Sequence, residues 1–289
     1  MPLRSFHHSD FPADRLRPQR TDTISVCVPT REEAATIVGV LEPLIALRER
    51  DVVDQVVVVD ASSADGTAAV AAAAGAEVFD EAALQPEFGP VVGKGDAMWR
   101  SLSVLTGDLV CFVDGDTEEF DEHFACGVLG PLACEPGVQY VKGFFRRPFR
   151  GPSGAVTATG GGRVTELTAR PLLQAFYPEL AQVRQPLAGE MAGRRELFER
   201  LAFCTGYAIE TGLLIDAYAE VGIDGLAQVD LCVRQNRHQS IERLGRMSAA
   251  VLAAVTSRLH REGRLLEPPA VELLERPALA ELRALRGSG

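Results

Sequence analysis

Short apolar runs alternate with longer segments of helical spacing along the first half of the chain. The runs at 23–30, 54–60, 76–80 and 108–114 (TISVCVPT, DQVVVVD, AEVFD and DLVCFVD) have the length and composition of strands. The consecutive valines of the second run are typical of a strand buried on both faces of a parallel sheet. The pattern therefore predicts a β-α-β-α-β-α-β order and an α/β fold, with a mostly parallel sheet and helices on both faces.

The first predicted helix begins directly after the first strand. Thr30 and Glu33 have the spacing of a T-x-x-E capping box, in which the two side chains satisfy backbone N–H groups at a helix start. We therefore expect Thr30 to end the strand and also to open the helix.

The second half mixes strands and helices. The stretches 138–145 and 226–234 are typical of strands, and 207–221 and 240–260 have helical spacing. A glycine-rich loop enters a further helix within 158–176, and the last residues, rich in Leu, Ala and Glu, are again helical in spacing. We expect four parts: a flexible N-terminal arm at 1–21, an α/β half at 22–118, a mixed α+β half at 119–265 and a helical tail at 266–289.

Composition and charge exclude several classes of function. The 289 residues are 46% hydrophobic and 24% charged, which is typical of a globular protein. The formal net charge of −11 argues against sequence-independent binding of nucleic acid, which needs a basic face, and against a polybasic membrane patch. No apolar segment reaches the length that spans a bilayer.

The cysteines indicate a reducing environment. The chain has 6 of them, none forms a C-x-x-C pair, and three lie inside apolar runs. The N-terminus has no apolar signal core. We therefore expect a cytoplasmic protein with neither disulfides nor a zinc site, and we interpret His7 and His8 as solvated residues of the arm.

Two carboxylates follow the fourth apolar run. Asp114 and Asp116 are separated by Gly115, which permits a sharp turn, so both can converge on one small volume. Such a pair repels unless a cation lies between its members. Mg²⁺ or Mn²⁺ suits the pair, because these ions bind carboxylate oxygens together with substrate phosphate oxygens. The alternative is an ordinary Asp-Gly-Asp turn.

Other candidates lie on loops that precede helices. Lys94, between two glycines, can reach a diphosphate, although the loop is not a P-loop and a solvated lysine is an equal alternative. Asp60 ends the second strand, where a carboxylate can accept hydrogen bonds from a base or ribose, whereas Asp65 can equally cap a helix. Glu210 stands in an apolar helix start, where an unpartnered charge is costly.

The segment TGGGRVTE, at 159–166, has the features of an anion site. Its glycines can form a nest of backbone N–H groups. Arg163 adds a bidentate donor and Thr165 a hydroxyl, whereas a purely structural loop would not need the arginine. Further along the chain, His238 can be a ligand or a base, although a histidine near a helix start is more often structural.

The order of these motifs resembles the glucosyl-3-phosphoglycerate synthases, which are retaining GT-A glycosyltransferases of actinobacteria. The resemblance extends from about Ser25 to Val251. Its most specific part is TGGGRVTEL together with GKG and WRSL. The remaining segments that carry it are P-x-x-E-E, VVVDASSADGT, VDGD, QPLAGEMAGRRELF, GYAIETGLLID and AQVDLCVR.

The resemblance implies a GT-A fold, Rossmann-like, and metal-dependent transfer of a hexose from a nucleotide sugar to the 2-hydroxyl of 3-phosphoglycerate. It implies front-side attack with retention, Mg²⁺ or Mn²⁺ as cofactor, and a homodimer. UDP-glucose is the favoured donor and a GDP-linked sugar the alternative. Residues 22–118 would then bind the nucleotide sugar and residues 119–265 the acceptor.

The resemblance also assigns site residues by position. The catalytic group would be Glu210, Asp116 and Lys94, and the metal ligands Asp116, Asp114, Asn236 and His238. The acceptor would contact Gly161, Gly162, Arg163, Thr165 and His238. The nucleotide sugar would contact Pro29, Thr30, Arg31, Glu33, Asp60, Lys94, Asp114, Gly115, Tyr207 and Arg234.

The chain departs from the family at two points. The family has Arg-x-His-Arg-Asn after its late strand, with the histidine as a metal ligand, whereas here Asn236 and His238 stand in exchanged order. The family's serine after the second-strand aspartate is Ala61. Both changes touch the donor and metal sites.

Several alternative functions stay open. Within the class these are a mannosyl-3-phosphoglycerate synthase or a transferase to another small acidic acceptor. A sugar-phosphate nucleotidyltransferase would need a glycine-rich first loop, which VPTREEAAT lacks. A polyprenyl-phosphate glycosyltransferase would need a membrane element. An inactive sugar-nucleotide-binding module is the non-enzymatic alternative.

Overall fold

A central sheet organises the chain. The structure, a computed structural model, describes residues 2–147, 149–150, 156–157, 162–234, 240–267, 270 and 273–287. The strands are β1 Arg4–His7, β2 Ile24–Thr30, β3 Gln55–Asp60, β4 Glu77–Asp80, β5 Leu109–Phe112, β6 Tyr140–Arg146, β7 Phe149–Arg150, β8 Val156–Thr157, β9 Met191–Arg194, β10 Phe203–Cys204, β11 Leu226–Val233 and β12 Glu275–Arg276. The helices are α1 Ala13–Gln19, α2 Ile37–Glu49, α3 Thr67–Ala73, α4 Lys94–Ser101, α5 Glu122–Cys134, α6 Arg170–Phe176, α7 Arg195–Arg200, α8 Ile209–Val221, α9 Ile241–Arg261 and α10 Leu279–Gly287.

The strand order within the described residues is β1-β11-β6-β9-β5-β2-β3-β4. Neighbouring strands are parallel except β9, which runs antiparallel to both β5 and β6. The predicted α/β class and the four parallel strands of the first half are confirmed. The small pairs β7–β8 and β10–β12 lie outside this sheet.

Side chains on the two faces of the sheet enter separate cores. In β3, Val56 and Val58 pack with α2 and α5 on one face, while Val57 and Val59 pack against α4 on the other. The valine run is therefore buried on both faces, as its composition predicts. Among the described residues, no helix combines the length and apolar character needed to cross a bilayer.

The first residues are folded, and the expectation of a flexible arm at 1–21 is wrong. β1 pairs in parallel with β11 at the edge of the sheet, with His7 opposite Asp230. Phe11 is buried, and it lies so close to α5 that a Cβ on Gly130 would fall 2.1 Å from its ring. A four-residue edge strand with only one side chain in the core has no clear alternation, so its pattern does not distinguish it from coil.

Two further boundaries differ from the prediction. α2 begins at Ile37 rather than after Thr30, and its N-cap, Thr36, makes no side-chain cap. The predicted capping box is therefore wrong. The Thr30 hydroxyl instead donates to the carboxylate of Asp60, at the end of the neighbouring strand β3, at 2.9 Å. The expected helical tail at 266–289 is helical only in α10, since β12 pairs with β10 before it.

Candidate functional site

A cleft of about 500 Å³ opens at the carboxyl ends of β2, β3 and β5. The ends of parallel strands share one edge of a sheet, which is where ligands bind in α/β folds. The start of α4, the start of α8 and one face of α9 form the other walls. Pro29, Thr30, Arg31, Glu33, Lys94, Asp114, Gly115, Asp116, Tyr207 and Glu210 all line this cleft, so the structure brings these predicted residues together.

Asp114 is held by two cations. Lys94 Nζ lies 2.5 Å from its Oδ1, and Arg234 Nη1 lies 2.9 Å from its Oδ2. Burial alone would raise the pKa of Asp114, but the charges of Lys94 and Arg234 hold it well below its usual range. Asp114 is therefore ionised, and both of its oxygens are already engaged.

Arg234 links three carboxylates from beneath the cleft. Its guanidinium is fully buried and donates to Asp114, to Asp116 Oδ1 at 3.0 Å and to Glu190 Oε1. Burial alone would lower the pKa of Arg234, but the surrounding carboxylates raise it. Because Arg234 is not among the lining residues, it orients carboxylates rather than facing the cleft itself.

Glu190 is an ionisable residue of the site that the sequence analysis missed. Its side chain is fully buried, and its Oε2 has no hydrogen-bond partner within the described residues. Burial raises its pKa, which the neighbouring Arg234 partly opposes. The signal that could have found it is a carboxylate in a small, apolar stretch, LAGEMAG, directly before a strand.

Lys94 is positioned by tight packing at the start of α4. A Cβ on Gly95 would lie 1.9 Å from the Cys204 carbonyl oxygen, so the helix start contacts that backbone closely. Lys94 Nζ bridges to Glu210 Oε1 at 3.0 Å as well as to Asp114. These carboxylates raise the pKa of Lys94, although burial alone would lower it. Lys94 is therefore a fixed positive charge between the two.

The loop before β9 also approaches Asp114 closely. A Cβ on Gly189 would lie 2.3 Å from either oxygen of Asp114, so only glycine fits there while the carboxylate keeps its place. Lys142, fully buried, supports the loop by donating to the Ala188 carbonyl, and burial lowers the Lys142 pKa to about 8.

At the end of the cleft near β3, the placement of Asp60 differs from the prediction that it contacts the nucleotide sugar. This carboxylate is buried and accepts hydrogen bonds from Thr30, at 2.9 Å, and from the backbone and hydroxyl of Ser63, both at 2.8 Å. It shapes the loop behind the wall, which Ala61 lines instead. Asp65 precedes the N-cap, Gly66, and accepts from the Thr67 N–H at the start of α3, at 3.0 Å, so it supports the helix start and does not line the cleft.

A second carboxylate at this end was also missed. Glu81 lines the cleft, and its Oε1 lies 3.7 Å from Arg31. Burial raises the pKa of Glu81 to about 6, against the lowering effect of Arg31. Its position in the polar segment after β4 gave no pattern to recognise.

The opposite wall combines arginines with aromatic rings. The Tyr207 hydroxyl accepts from Arg243 Nη2 at 2.9 Å. Arg147 lies over the Phe145 ring, 4.9 Å from its centroid, and its Nε has no hydrogen-bond partner among the described residues. Burial lowers the pKa of Arg147, and the positive charge of Arg234 adds to that effect.

The predicted acceptor residues lie beside the cleft. Gly162, Arg163 and Thr165 precede and begin a π-helical turn, Thr165–Ala169, and are not among the lining residues. Val164 between them packs with cleft residues of α9, including Val251. Gly161, Asn236 and His238 fall outside the described residues.

The exposed carboxylate of the pair suits a divalent cation. Within the described residues, Asp116 bonds to Arg234 through Oδ1 only, and its side chain is 41% exposed in the cleft. Four carboxylates (Asp114, Asp116, Glu190 and Glu210) contact two cations, Lys94 and Arg234. An oxygen donor with excess negative charge around it fits Mg²⁺ or Mn²⁺.

Comparisons with known proteins agree with this geometry. The family “Glycosyl transferase family 2” matches residues 25–201. The glucosyl-3-phosphoglycerate synthase of Mycolicibacterium smegmatis is 48% identical over 236 residues, which cover 82% of this chain and 77% of that protein. The enzyme of the same name from Petrotoga mobilis is 40% identical over 268 residues, covering 91% and 82%.

Solved structures extend the likeness to the whole fold. The mannosyl-3-phosphoglycerate synthase of Rubrobacter xylanophilus superimposes with a TM-score of 0.88 at 46% identity, covering 96% of both chains. The glucosyl-3-phosphoglycerate synthase of Mycobacterium tuberculosis, in complex with Mn²⁺, UDP-glucose and phosphoglyceric acid, has a TM-score of 0.86 at 39% identity, covering 98% of this chain and 100% of that one. The GT-A fold is confirmed, and the chain is a glycosyltransferase of family 2 that belongs to the glucosyl-3-phosphoglycerate synthases.

Proposed function

We propose that this protein transfers glucose from UDP-glucose to the 2-hydroxyl of 3-phosphoglycerate, with retention at the anomeric carbon. The observation that carries the proposal is the carboxylate pair Asp114 and Asp116, held by Lys94 and Arg234 at the carboxyl edge of the sheet. A related structure contains Mn²⁺, UDP-glucose and phosphoglyceric acid together. Relatives with 40–48% identity are glucosyl-3-phosphoglycerate synthases.

A divalent metal, Mg²⁺ or Mn²⁺, would be held by Asp116, with Asp114 beside it. Bound there, it supplies positive charge against the negative charge that grows on the departing diphosphate. Lys94 supplies further positive charge, and its two carboxylate partners keep it in place. Interactions that strengthen as charge develops lower the barrier rather than only tightening binding. Asn236 and His238 are the proposed additional ligands.

Glu210 faces the reacting sugar in this proposal. It lines the cleft one residue into α8, and its Oε1 accepts from Lys94 at 3.0 Å. Its contact with Lys94 fixes the carboxyl group, whose oxygens can accept hydrogen bonds from sugar hydroxyls. We propose that the acceptor hydroxyl attacks from the front face. In the described part of the cleft, Glu210, Asp114 and Asp116 contact cations, and Asp116 would also hold the metal, so none of the three is placed as a covalent nucleophile.

The nucleotide would lie along Pro29, Thr30, Arg31 and Glu33, and Gly115 and Tyr207 would also contact it, since all of them line the cleft. Asp60 and Arg234 act indirectly: Asp60 holds the β3 loop, and Arg234 holds the carboxylates. Residues 22–118 thus supply most of the donor side and residues 119–265 most of the acceptor side.

The acceptor would be bound by Gly161, Gly162, Arg163, Thr165 and His238. Gly162 has a φ of +73°, a left-handed conformation that favours glycine and helps to aim successive N–H groups at an anion. Holding the anionic groups there places the 2-hydroxyl against the anomeric carbon. Positioning of this kind can lower the barrier by several kcal/mol, and by about 7–11 kcal/mol where the reacting groups are ideally oriented.

A mannosyl donor is the second candidate. It rests on the 46% identity and TM-score of 0.88 shared with a mannosyl-3-phosphoglycerate synthase. Ala61 lines the donor wall where the family has serine, so a hydroxyl that could contact the nucleotide is missing. The nucleotide base of the preferred donor is therefore a further point to test.

The decisive experiment is a donor and acceptor panel. The purified full chain is incubated with Mn²⁺ or Mg²⁺, 3-phosphoglycerate and UDP-, GDP- or ADP-linked glucose or mannose, and nucleotide release is measured with and without acceptor. We expect acceptor-dependent release that is fastest with UDP-glucose. Fastest release with a mannosyl donor would support the second candidate, and no acceptor-dependent release from any donor would overturn both.

One variant tests the acceptor site. Arg163→Ala should raise the apparent KM for 3-phosphoglycerate by about 10-fold or more while the Kd for the donor stays unchanged. The matched control is Arg170→Ala on the same segment, an exposed residue that pairs with Glu166 at 3.0 Å. Equal effects of the two substitutions would contradict the assignment.

A cytoplasmic homodimer completes the proposal. The free thiols and the absence of a C-x-x-C pair from the sequence support this compartment. Exposed apolar side chains near the C-terminus, Leu266 and Leu274, offer contact surface for a second copy. Light scattering should give twice the chain mass of 31.0 kDa, and the mass of a single chain would exclude the dimer.

A further inference from the structure

A cluster of metal-ligating side chains lies outside the cleft, where β1 meets the end of β11. Cys232 Sγ lies 3.3 Å from His8 Nε2 and 3.5 Å from His7 Nε2. The candidate ligand atoms of the three residues all lie within 4.8 Å of one another. The pairing of β1 with β11 brings together residues 225 positions apart, a proximity that the sequence does not reveal.

These separations match a tetrahedral zinc site. With a Zn–S bond of 2.3 Å and a Zn–N bond of 2.0–2.1 Å, a tetrahedral angle separates sulfur from nitrogen by about 3.6 Å. The two observed sulfur–nitrogen distances lie within a few tenths of an ångström of that value. We propose that His7, His8 and Cys232 bind a thiophilic transition-metal ion, with Zn²⁺ as the preferred occupant.

The backbone around Cys232 is shaped to direct the thiol. Cys232 has a φ of +67°, a left-handed conformation that costs a non-glycine residue free energy. The register of β11 shifts between Asp230 and Val233, and the Asp230 carboxylate accepts the Cys232 N–H at 2.9 Å. A bulge of this kind re-aims a side chain, here toward the two imidazoles.

The neighbours of the histidines favour metal binding. Nε2 of His8 lies 3.3 Å from Cys232 Sγ, so this ring nitrogen faces the thiol. Ser9 lies at Nδ1 of His7, with its hydroxyl 2.8 Å and its backbone N–H 3.2 Å away. Nδ1 of His7 accepts the Ser9 N–H. Metal binding through Nε2 would move the ring proton to Nδ1, where the Ser9 hydroxyl would accept it.

His123 completes the surroundings without acting as a ligand in this geometry. Its ring lies 4.4 Å from that of His8 at a tilt of 42°, while its nitrogens contact Asp121 at 3.2 Å and the Leu231 carbonyl at 3.3 Å. Since His7 is exposed, the fourth position of the metal is open to water. The ion would join the edge strand β1 to β11 two residues before Arg234, the arginine that holds the carboxylates of the cleft.

Cobalt binding tests the thiol ligand directly. The untagged full chain is freed of metal and titrated with Co²⁺, and thiolate-to-cobalt charge transfer is followed in the near ultraviolet. We expect the band to saturate at one ion per chain, to be displaced by Zn²⁺ and to vanish in Cys232→Ser. The control is Cys134→Ser, which removes another partly exposed thiol, remote from the histidines, and should keep the band. The proposed ligands of the cleft include no thiolate and so cannot produce this band.

Thermal unfolding of the same proteins gives the second measurement. Zn²⁺ should raise the Tm of the parent and of Cys134→Ser by several degrees, because the ion binds the folded chain. Cys232→Ser and His8→Gln should weaken Zn²⁺ binding by about 10-fold or more and lose most of the Tm shift. Absence of the cobalt band in the folded parent, or its survival in Cys232→Ser, would overturn the proposal.

Discussion

At the scale of single residues, Asp116 is the carboxylate on which metal binding should depend most. One of its oxygens faces the cleft, while both oxygens of Asp114 are already bonded to cations. Asp116→Asn should therefore lower kcat/KM by about 100-fold or more, because a metal held here offsets charge in the transition state. Nucleotide release at several Mn²⁺ concentrations measures the effect.

The control for this prediction is Glu118→Gln, which removes an exposed carboxylate two residues further on. We expect it to keep nearly full activity, and both variants to keep the parent Tm within about 2 °C. An active Asp116→Asn protein with unchanged metal dependence would contradict the role given to Asp116.

Glu81 should make the stability of the protein depend on pH. Its folded pKa of about 6 exceeds the ordinary value of 4.5, so the folded state holds more protons than the unfolded state between these values. The free energy of unfolding should therefore fall as pH rises through this window, by about 1–2 kcal/mol from this residue. Glu81→Gln should remove that part of the slope, as measured by urea unfolding across the window, and Glu118→Gln should retain it.

Residues that meet in the cleft could be located from the sequence where they lie in a recognisable motif. Asp114, Asp116 and Lys94 lie in recognisable segments, and the structure joins them. Glu190 was missed because its contact with Arg234 depends on where two distant segments meet. Asp60 was predicted to contact the nucleotide sugar because a sequence does not show that Thr30 and Ser63 already donate hydrogen bonds to its oxygens.

At the scale of elements, the N-terminal segment should contribute strongly to stability. Phe11 is buried between β1 and α5 and makes an edge-to-face contact with Phe6 at 5.4 Å. Phe11→Ala should lower the free energy of unfolding by about 3–5 kcal/mol, measured by denaturant titration. The comparison is Leu167→Ala, at a side chain 77% exposed, which should change it by about 0.5 kcal/mol or less. A negligible loss in Phe11→Ala would mean that the segment is dispensable.

Predictions of whole elements succeeded where burial imposed a long, regular pattern. The valines of β3 and the amphipathic α9 are examples, and α9 starts at the predicted serine, whose hydroxyl accepts from Arg243 N–H at 3.3 Å. Short elements such as β1 and β12 depend on a partner strand far along the chain. Their own residues carry too little periodicity to distinguish them from loops or helices.

At the scale of the whole molecule, the C-terminal segment secures the start of α4. Arg276 Nε and Nη2 donate to the buried Asp96 at 2.8 and 2.6 Å, and Asp96 also accepts from Arg100 at 3.1 Å. Arg276→Met should lower the free energy of unfolding by about 3 kcal/mol, because it leaves a buried charge less well compensated. Denaturant titration measures the loss.

Arg283→Met provides the comparison within the same segment. Arg283 is 59% exposed and pairs with Glu199 at 2.6 Å, so its loss should cost about 1 kcal/mol or less. If the two arginines prove equivalent, the C-terminal segment contributes through general packing rather than through Asp96.

The antiparallel pairing of β9 has a consequence for chimeras made from two enzymes of this family. It enters from the second half of the chain, yet it pairs with β5 of the first half, and the residues just before it are Gly189 and Glu190. A recombinant joined near residue 118 would therefore combine the carboxylate turn of one parent with the supporting loop of another. We therefore expect a graft of donor preference to succeed only when the segment 187–194 is transferred together with the first half, because strands that pair in the sheet must come from the same parent.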